Sequence, residues 1–176
     1  MTARRITRAA VAASVVTTIG AATLLAGQQG SQAAGTTATD ATLHFDARGL
    51  SEKLIDQGAS GPSVGDSDIF SERVFERDGS RQIGRTAARC DITQVSRNSR
   101  GRVTNAVMLC VASIKLPHGT ISVQGQASWT KTNTLAIVGG TGAYDRARGE
   151  FVVKDVSDTR SEYTFHIQDD NGGIIP

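Results

Sequence analysis

No acidic residue precedes Asp40 in this chain of 176 residues, and no cysteine stands before Cys90. The second absence excludes a lipid anchor on an N-terminal cysteine. No segment keeps a long helical period, which excludes a helical bundle. The three histidines, His44, His118 and His166, are too scattered to form a metal-ligand spacing, so no metal is expected. Serine, histidine and aspartate are all present, but no nucleophile elbow accompanies them.

The acid-free stretch has the order of a secretion signal. Arg4, Arg5 and Arg8 form a positive start, and Ala9–Ala26 is apolar or small, with Val11, Val15, Val16, Ile19, Leu24 and Leu25 at its centre. Ser31-Gln32-Ala33 then offers small residues at the positions a signal peptidase reads. The run is also about long enough to span a bilayer as an uncleaved anchor. Its richness in Ala and Thr and poverty in Leu favour cleavage, which leaves no stable membrane anchor. Residues 1–33 are therefore expected to be a signal peptide, 34–41 a flexible leader and 42–176 a single domain, secreted to the extracellular side.

Cleavage changes the charge balance. The whole chain carries 19 Lys+Arg against 17 Asp+Glu. Without Arg4, Arg5 and Arg8, 16 cations remain against the 17 acids. The basic excess belongs to the export signal, and no nucleic-acid partner is expected.

The rest is a series of short β-like runs. Thr42–Arg48 alternates, with Leu43, Phe45 and Ala47 on one side. Ser51–Asp66, rich in Gly and Ser, reads as a loop. Ile69–Glu76, Arg85–Val95, Val103–Leu116, Ile121–Trp129, Thr134–Val138, Phe151–Val156 and Tyr163–Gln168 read as strands, with Gly139–Gly149 as a glycine-rich connection. Ile121, Val123, Gly125, Ala127 and Trp129 share a face. Such a series indicates an all-β sandwich or barrel, and closure would remove the edge strands.

Ser96–Asn105 is a polar hairpin loop between two apolar runs. A hairpin centred near Arg100 sets Cys90 opposite Cys110, close enough for a disulfide, which an exported chain permits. The alternative is two free buried cysteines, since a one-residue slip separates them. Val103–Leu116 is apolar on both faces, with Val107, Leu109 and Val111 on one and Ala106, Met108, Cys110 and Ala112 on the other. A small barrel in water needs one polar face, so the outer wall is expected to be covered, by another subunit in a dimer or trimer or by a terminal segment.

Leu135–Phe151, LAIVGGTGAYDRARGEF, closely resembles the GGTG-x-[FY]-x-x-A-x-G signature of plant dirigent proteins and allene oxide cyclases. Gly119–Gly125 (GTISVQG), Val64-Gly65-Asp66 with Phe70, Ile83–Cys90 (IGRTAARC) and Tyr163-Thr164-Phe165 add matches in family order over Leu43–Ile167. The resemblance implies an eight-stranded antiparallel β-barrel with an apolar cavity, often trimeric in the plant members. The glycines Gly139, Gly140, Gly142 and Gly149 read as tight-turn positions. They are no phosphate loop, because the Lys-Ser/Thr ending and a following helix are missing.

The cyclases fold a flexible chain inside an apolar cavity, helped by a few polar groups. Carried over by resemblance, the first-strand Glu falls at His44, the Asn two residues on at Asp46, and the water-holding Asn of the next strand at Glu72. The cavity cysteine matches Cys90, and an aromatic is replaced by Ala127. The cyclase set is thus not kept, and a substrate other than an allene oxide is implied. His44, Asp46 and Glu72 are the candidate catalytic residues, an imidazole beside carboxylates suiting general acid–base work. The competing reading puts His44 and Asp46 on the solvated face and Glu72 at the surface. Cys90, Ala127 and Trp129 are candidate ligand contacts, with Trp129 and Tyr144 alternatively packing residues; His118 and His166 are expected outside. The function implied is an exported barrel that binds an apolar small molecule and guides its cyclisation or coupling by cavity shape, without a cofactor. The alternative is a non-catalytic ligand-binding or structural barrel.

Overall fold

The computed structural model describes residues 39–58 and 60–169. The expected signal segment and most of the expected leader and tail lie outside them. Eight antiparallel strands follow in chain order: β1 (Thr39–Ile55), β2 (Ser67–Glu76), β3 (Gln82–Arg97), β4 (Val103–Leu116), β5 (Gly119–Ser128), β6 (Thr132–Gly142), β7 (Arg148–Ser157) and β8 (Arg160–Asp169). Each pairs with the next, and β8 pairs with β1, so the sheet closes into a barrel.

The two-residue period drives this closure. On β3, Thr86, Ala88, Cys90 and Ile92 are buried, while Arg85, Ala87 and Arg89 are exposed. The inner face is apolar and the outer face mostly polar, the pattern of a small barrel in water. β4 departs from it as expected: Leu109 and Val111 face outward, 55% and 49% exposed, while Ala106, Cys110 and Ala112 face inward.

Three expected boundaries are corrected. Thr39–Ala41, expected in the leader, opens β1 and pairs with Ile167–Asp169. Ser51–Ile55, expected in a loop, pairs with Ser67–Ser71. A bulge between Gly49 and Ser51 sets Leu50 out of register, so the alternation that marks Leu43–Ala47 does not continue in phase. Gly139–Gly142, expected in a connection, continues β6 and pairs with Gly119–Ser122 of β5. These glycines allow close contact. A Cβ on Gly140 would stand 2.1 Å from the Thr120 carbonyl oxygen and 2.5 Å from that of Tyr144. At Gly140 the requirement is close approach within a strand, not the expected tight turn; positive φ is found at Gly139, Gly142 and Gly149.

One end of the barrel is closed. Phe165, Ile114, Ile121 and Ile167 are at most 1% exposed there, and Tyr144 and Ala147 from the β6–β7 connection pack against them. Trp129, expected to share the inner face of β5, instead follows that strand and is 48% exposed at the opposite end.

Cys90 and Cys110 are cross-strand partners and form a disulfide, with Cα atoms 4.0 Å apart. The bridge faces the barrel interior. Closing a loop of this length is worth about 3 kcal/mol. The Cys90→Ala/Cys110→Ala double variant should lose about that amount in urea unfolding; an unchanged midpoint would show that the bridge adds nothing.

Candidate functional site: an open cavity with a buried carboxyl

The up-and-down order brings the β1–β2, β3–β4, β5–β6 and β7–β8 connections to one end, opposite the closed end. That end opens into a cavity of about 820 Å³. The volume suits a small ligand. Space exists because the β3–β5 wall carries small side chains: Ala88, Cys90, Cys110, Ala112 and Ala127. The facing wall, β7 and β8, carries Phe151, Val153 and Tyr163. Phe151 stacks on Phe165 beneath it at 4.7 Å and meets Tyr163 edge-on at 4.9 Å.

A pair of buried polar groups meets in this space. Glu72 projects inward from β2, 9% exposed, and Tyr163, 3% exposed, reaches it from β8. The Tyr163 hydroxyl donates a hydrogen bond to Glu72 Oε2. On the strand between them, β1, Phe45 pairs with Tyr163 and Gly49 with Glu72, and the small Ala47 lies between, so the two side chains meet over it. Burial pushes the Glu72 carboxyl above its ordinary pKa; the Tyr163 bond opposes this and the charge of Asp155 adds to it. Burial and the neighbouring Glu72 hold the Tyr163 phenol well above its usual range. Asp155, at the rim, accepts a bond from Ser161 Oγ at 3.0 Å.

Asp68 stands two residues beyond Phe70 toward the mouth, on the same face as Phe70 and Glu72. Its Oδ1 is buried with no hydrogen-bond partner. Burial, then the charge of Glu52, raises its pKa. A buried carboxyl oxygen without a partner costs free energy unless a ligand or water meets it.

The expected set His44, Asp46 and Glu72 is not brought together. The alternation of β1 sends Leu43, Phe45 and Ala47 inward, so His44 and Asp46 face the outer wall. His44 is exposed, its Nδ1 3.2 Å from Thr164 Oγ1. Asp46 is buried beneath two arginines: Arg160 Nε donates to Oδ1 at 2.5 Å and Arg48 Nε to Oδ2 at 3.1 Å. Arg48 also lies over the Phe75 ring at 4.2 Å. Asp46 is thus an ion-paired strut of the outer wall. Only Glu72 of the three is in the cavity. Cys90, as part of the disulfide, and Ala127 line it, and Trp129 stands at its mouth. His118 and His166 are exposed, and Tyr144 is a packing residue. Among the described residues, no three His, Cys, Asp or Glu side chains are grouped to hold a metal ion.

Tyr163 and Asp68 were missed as site residues. Period-two reading carries the signal for both. Tyr163 shares a face with Phe165 and Ile167, and Asp68 with Phe70 and Val74.

The model of the allene oxide cyclase barrel-like domain matches residues 46–168. No curated protein matches the chain. Among solved structures, a pyocyanin demethylase is 28% identical, with a TM-score of 0.64 over 73% of this chain and 100% of that one. An exo-specific intermolecular Diels-Alderase, AbnU, is 15% identical, with a TM-score of 0.58 over 74% of this chain and 99% of that one. A pterocarpan synthase dirigent protein is 16% identical, with a TM-score of 0.61 over 74% of this chain and 90% of that one. The last two share the fold.

Proposed function

Because the chain belongs to the allene oxide cyclase-like barrel family, we propose that it is an exported barrel that binds one apolar small molecule and guides its cyclisation or coupling by cavity shape, without a cofactor. Glu72 and Tyr163 would move the proton. The observation that carries this reading is the Glu72 carboxyl, raised in pKa by burial and held by Tyr163 at the wall of the cavity. A carboxyl with a raised pKa keeps its proton closer to neutral pH, the property of a general acid. Tyr163 fixes its direction, and the small-residue wall leaves room for a ligand to be held in one geometry, which itself lowers a barrier. The apolar outer face of β4 supports assembly as a homo-oligomer, a dimer or trimer.

A second reading rests on the 28% identity with a pyocyanin demethylase over that whole chain. Here the same cavity would hold a compound that loses a methyl group, with water taking the methyl and the Glu72 carboxyl giving its proton to the atom released.

Native mass spectrometry of the purified chain, then product analysis with the compound it carries, separates these readings. Ring closure leaves a product of unchanged mass, coupling joins two molecules, and demethylation removes one methylene unit of mass. A bound compound recovered unaltered supports the ligand-binding alternative. A chain that carries and takes up no apolar compound would sink the proposal.

A further inference from the structure

The exposed large apolar side chains of the described residues fall into two groups. Ile69, Leu109, Val111 and Val138 lie on the outer wall. Leu50, Leu54, Val64, Trp129 and Val156 lie around the open end, 37%, 54%, 61%, 48% and 45% exposed. The largest ring in this rim is the chain's single tryptophan.

The same end carries a basic tip. The β3–β4 hairpin reaches beyond its neighbours: pairing with β2 stops at Asp91 and pairing with β5 stops at Val107, while β3 and β4 stay paired to Arg97 and Val103. This projecting tip carries exposed Arg97, Arg100 and Arg102. The Arg97 guanidinium donates to the carbonyls of Gly101 and Pro62 at 3.0 and 3.2 Å, not to a carboxylate. The ion pairs of the described residues use Arg48, Arg81, Arg89, Lys154 and Arg160 and none of the tip arginines. The exposed acids of that end, Glu52, Asp56, Asp155 and Asp158, stand on other segments, and none lies on the tip.

We propose that the open end of the barrel docks on an anionic lipid surface, the apolar rim entering the interface and the arginine tip meeting the headgroups. Apolar side chains with an interfacial tryptophan and a basic cluster beside them are the combination that binds such a surface. The geometry gives the docking a purpose. The cavity opens within the rim, so an apolar compound dissolved in the bilayer reaches Glu72 without crossing water.

The test uses the purified chain and vesicles of phosphatidylcholine with or without phosphatidylglycerol, with no ligand added. Co-sedimentation is expected on the anionic vesicles and to be weak on the neutral ones. Trp129 emission should shift to the blue on binding. Replacing Arg97, Arg100 and Arg102 by Gln should lower partitioning at least about tenfold. So should Leu54→Ser/Val156→Ser, with circular dichroism unchanged because both side chains are exposed. No sedimentation, equal binding to neutral vesicles, or binding that leaves Trp129 emission in place would overturn the proposal; the last would trace the binding to Ala9–Ala26. Since no ligand is present, failure here leaves the cavity reading standing.

Discussion

Glu72→Gln is expected to lower turnover of the cavity's substrate at least about a hundredfold, the usual contribution of a positioned general acid. Glutamine keeps the size and the acceptor for the Tyr163 hydroxyl but has no acidic proton to give. The cavity shape is retained, so KM should change little and the loss should fall on kcat. Tyr163→Phe leaves the carboxyl without its orienting partner and should cost less, about tenfold. His44→Ala is the control. Its imidazole lies on the outer wall beside Thr164, so turnover should stay at the native value. A Glu72→Gln enzyme with native kcat would reduce the barrel to a shaping cavity, and loss of stereocontrol with unchanged consumption would say the same.

The same substitution has a stability signature that needs no substrate. The folded Glu72 pKa is raised above the unfolded value of 4.5. Below about that value both states are protonated and burial of the carboxyl carries no penalty. As pH rises further, the unfolded chain loses this proton first, and stability falls until pH passes the folded pKa. Asp68 acts in the same direction. Asp66 and Asp91 act oppositely, because hydrogen bonds from Gln57 and Ser63, and from Ser67 and Arg89, lower their pKa values. Subtracting the Glu72→Gln melting curve from the native one across pH isolates the Glu72 part. The native protein should lose melting temperature relative to the variant as pH rises from about 4.5.

The barrel was legible because its determinants are local. Period-two alternation names inner residues of β1 and β5, Leu43, Phe45 and Ala47 on the first and Ile121, Val123 and Ala127 on the second, and the polar Ser96–Asn105 turn fixes the register that joins Cys90 to Cys110. Where a local pattern is interrupted, legibility ends. The bulge at Leu50 breaks the phase of β1, and so the paired half Ser51–Ile55 read as a loop. The site was half legible for another reason. Carrying the family's first-strand positions onto His44 and Asp46 put two polar residues in the cavity, against the alternation of Leu43, Phe45 and Ala47. The alternation wins: turning His44 and Asp46 inward would turn three apolar side chains into water. The partner that Glu72 does have, Tyr163, lies 91 residues away and meets it only once the barrel closes. No spacing in the sequence encodes that contact.

Phe165→Ala is expected to cost about 4 kcal/mol, the largest stability effect of any single truncation proposed for this barrel. Phe165 is fully buried. Its ring stacks on Phe151 at 4.7 Å and stands edge-on to Phe45 at 5.9 Å and to Tyr163 at 6.3 Å. It is the junction between the closed end and the cavity. Removing it leaves a void that the neighbours cannot fill, because the strands around it are held in a closed hydrogen-bonded ring. Phe151 and Tyr163 lose their support at the same time, so the damage reaches the acid site from below. In a domain of ordinary stability, about 10 kcal/mol, the loss is a large fraction and should lower the melting temperature by about 15 °C. Phe165→Leu keeps most of the volume and should cost about 1.5 kcal/mol or less. Trp129→Ala should stay within about 0.5 kcal/mol, since that ring is half exposed at the mouth. Chemical unfolding of the three variants checks the order. A Phe165→Ala barrel as stable as the native one would mean that the aromatic floor carries no load. In that case ligand geometry would be set by the walls alone, and the turnover of this variant with the Glu72 acid intact would stay near native instead of falling with its stability.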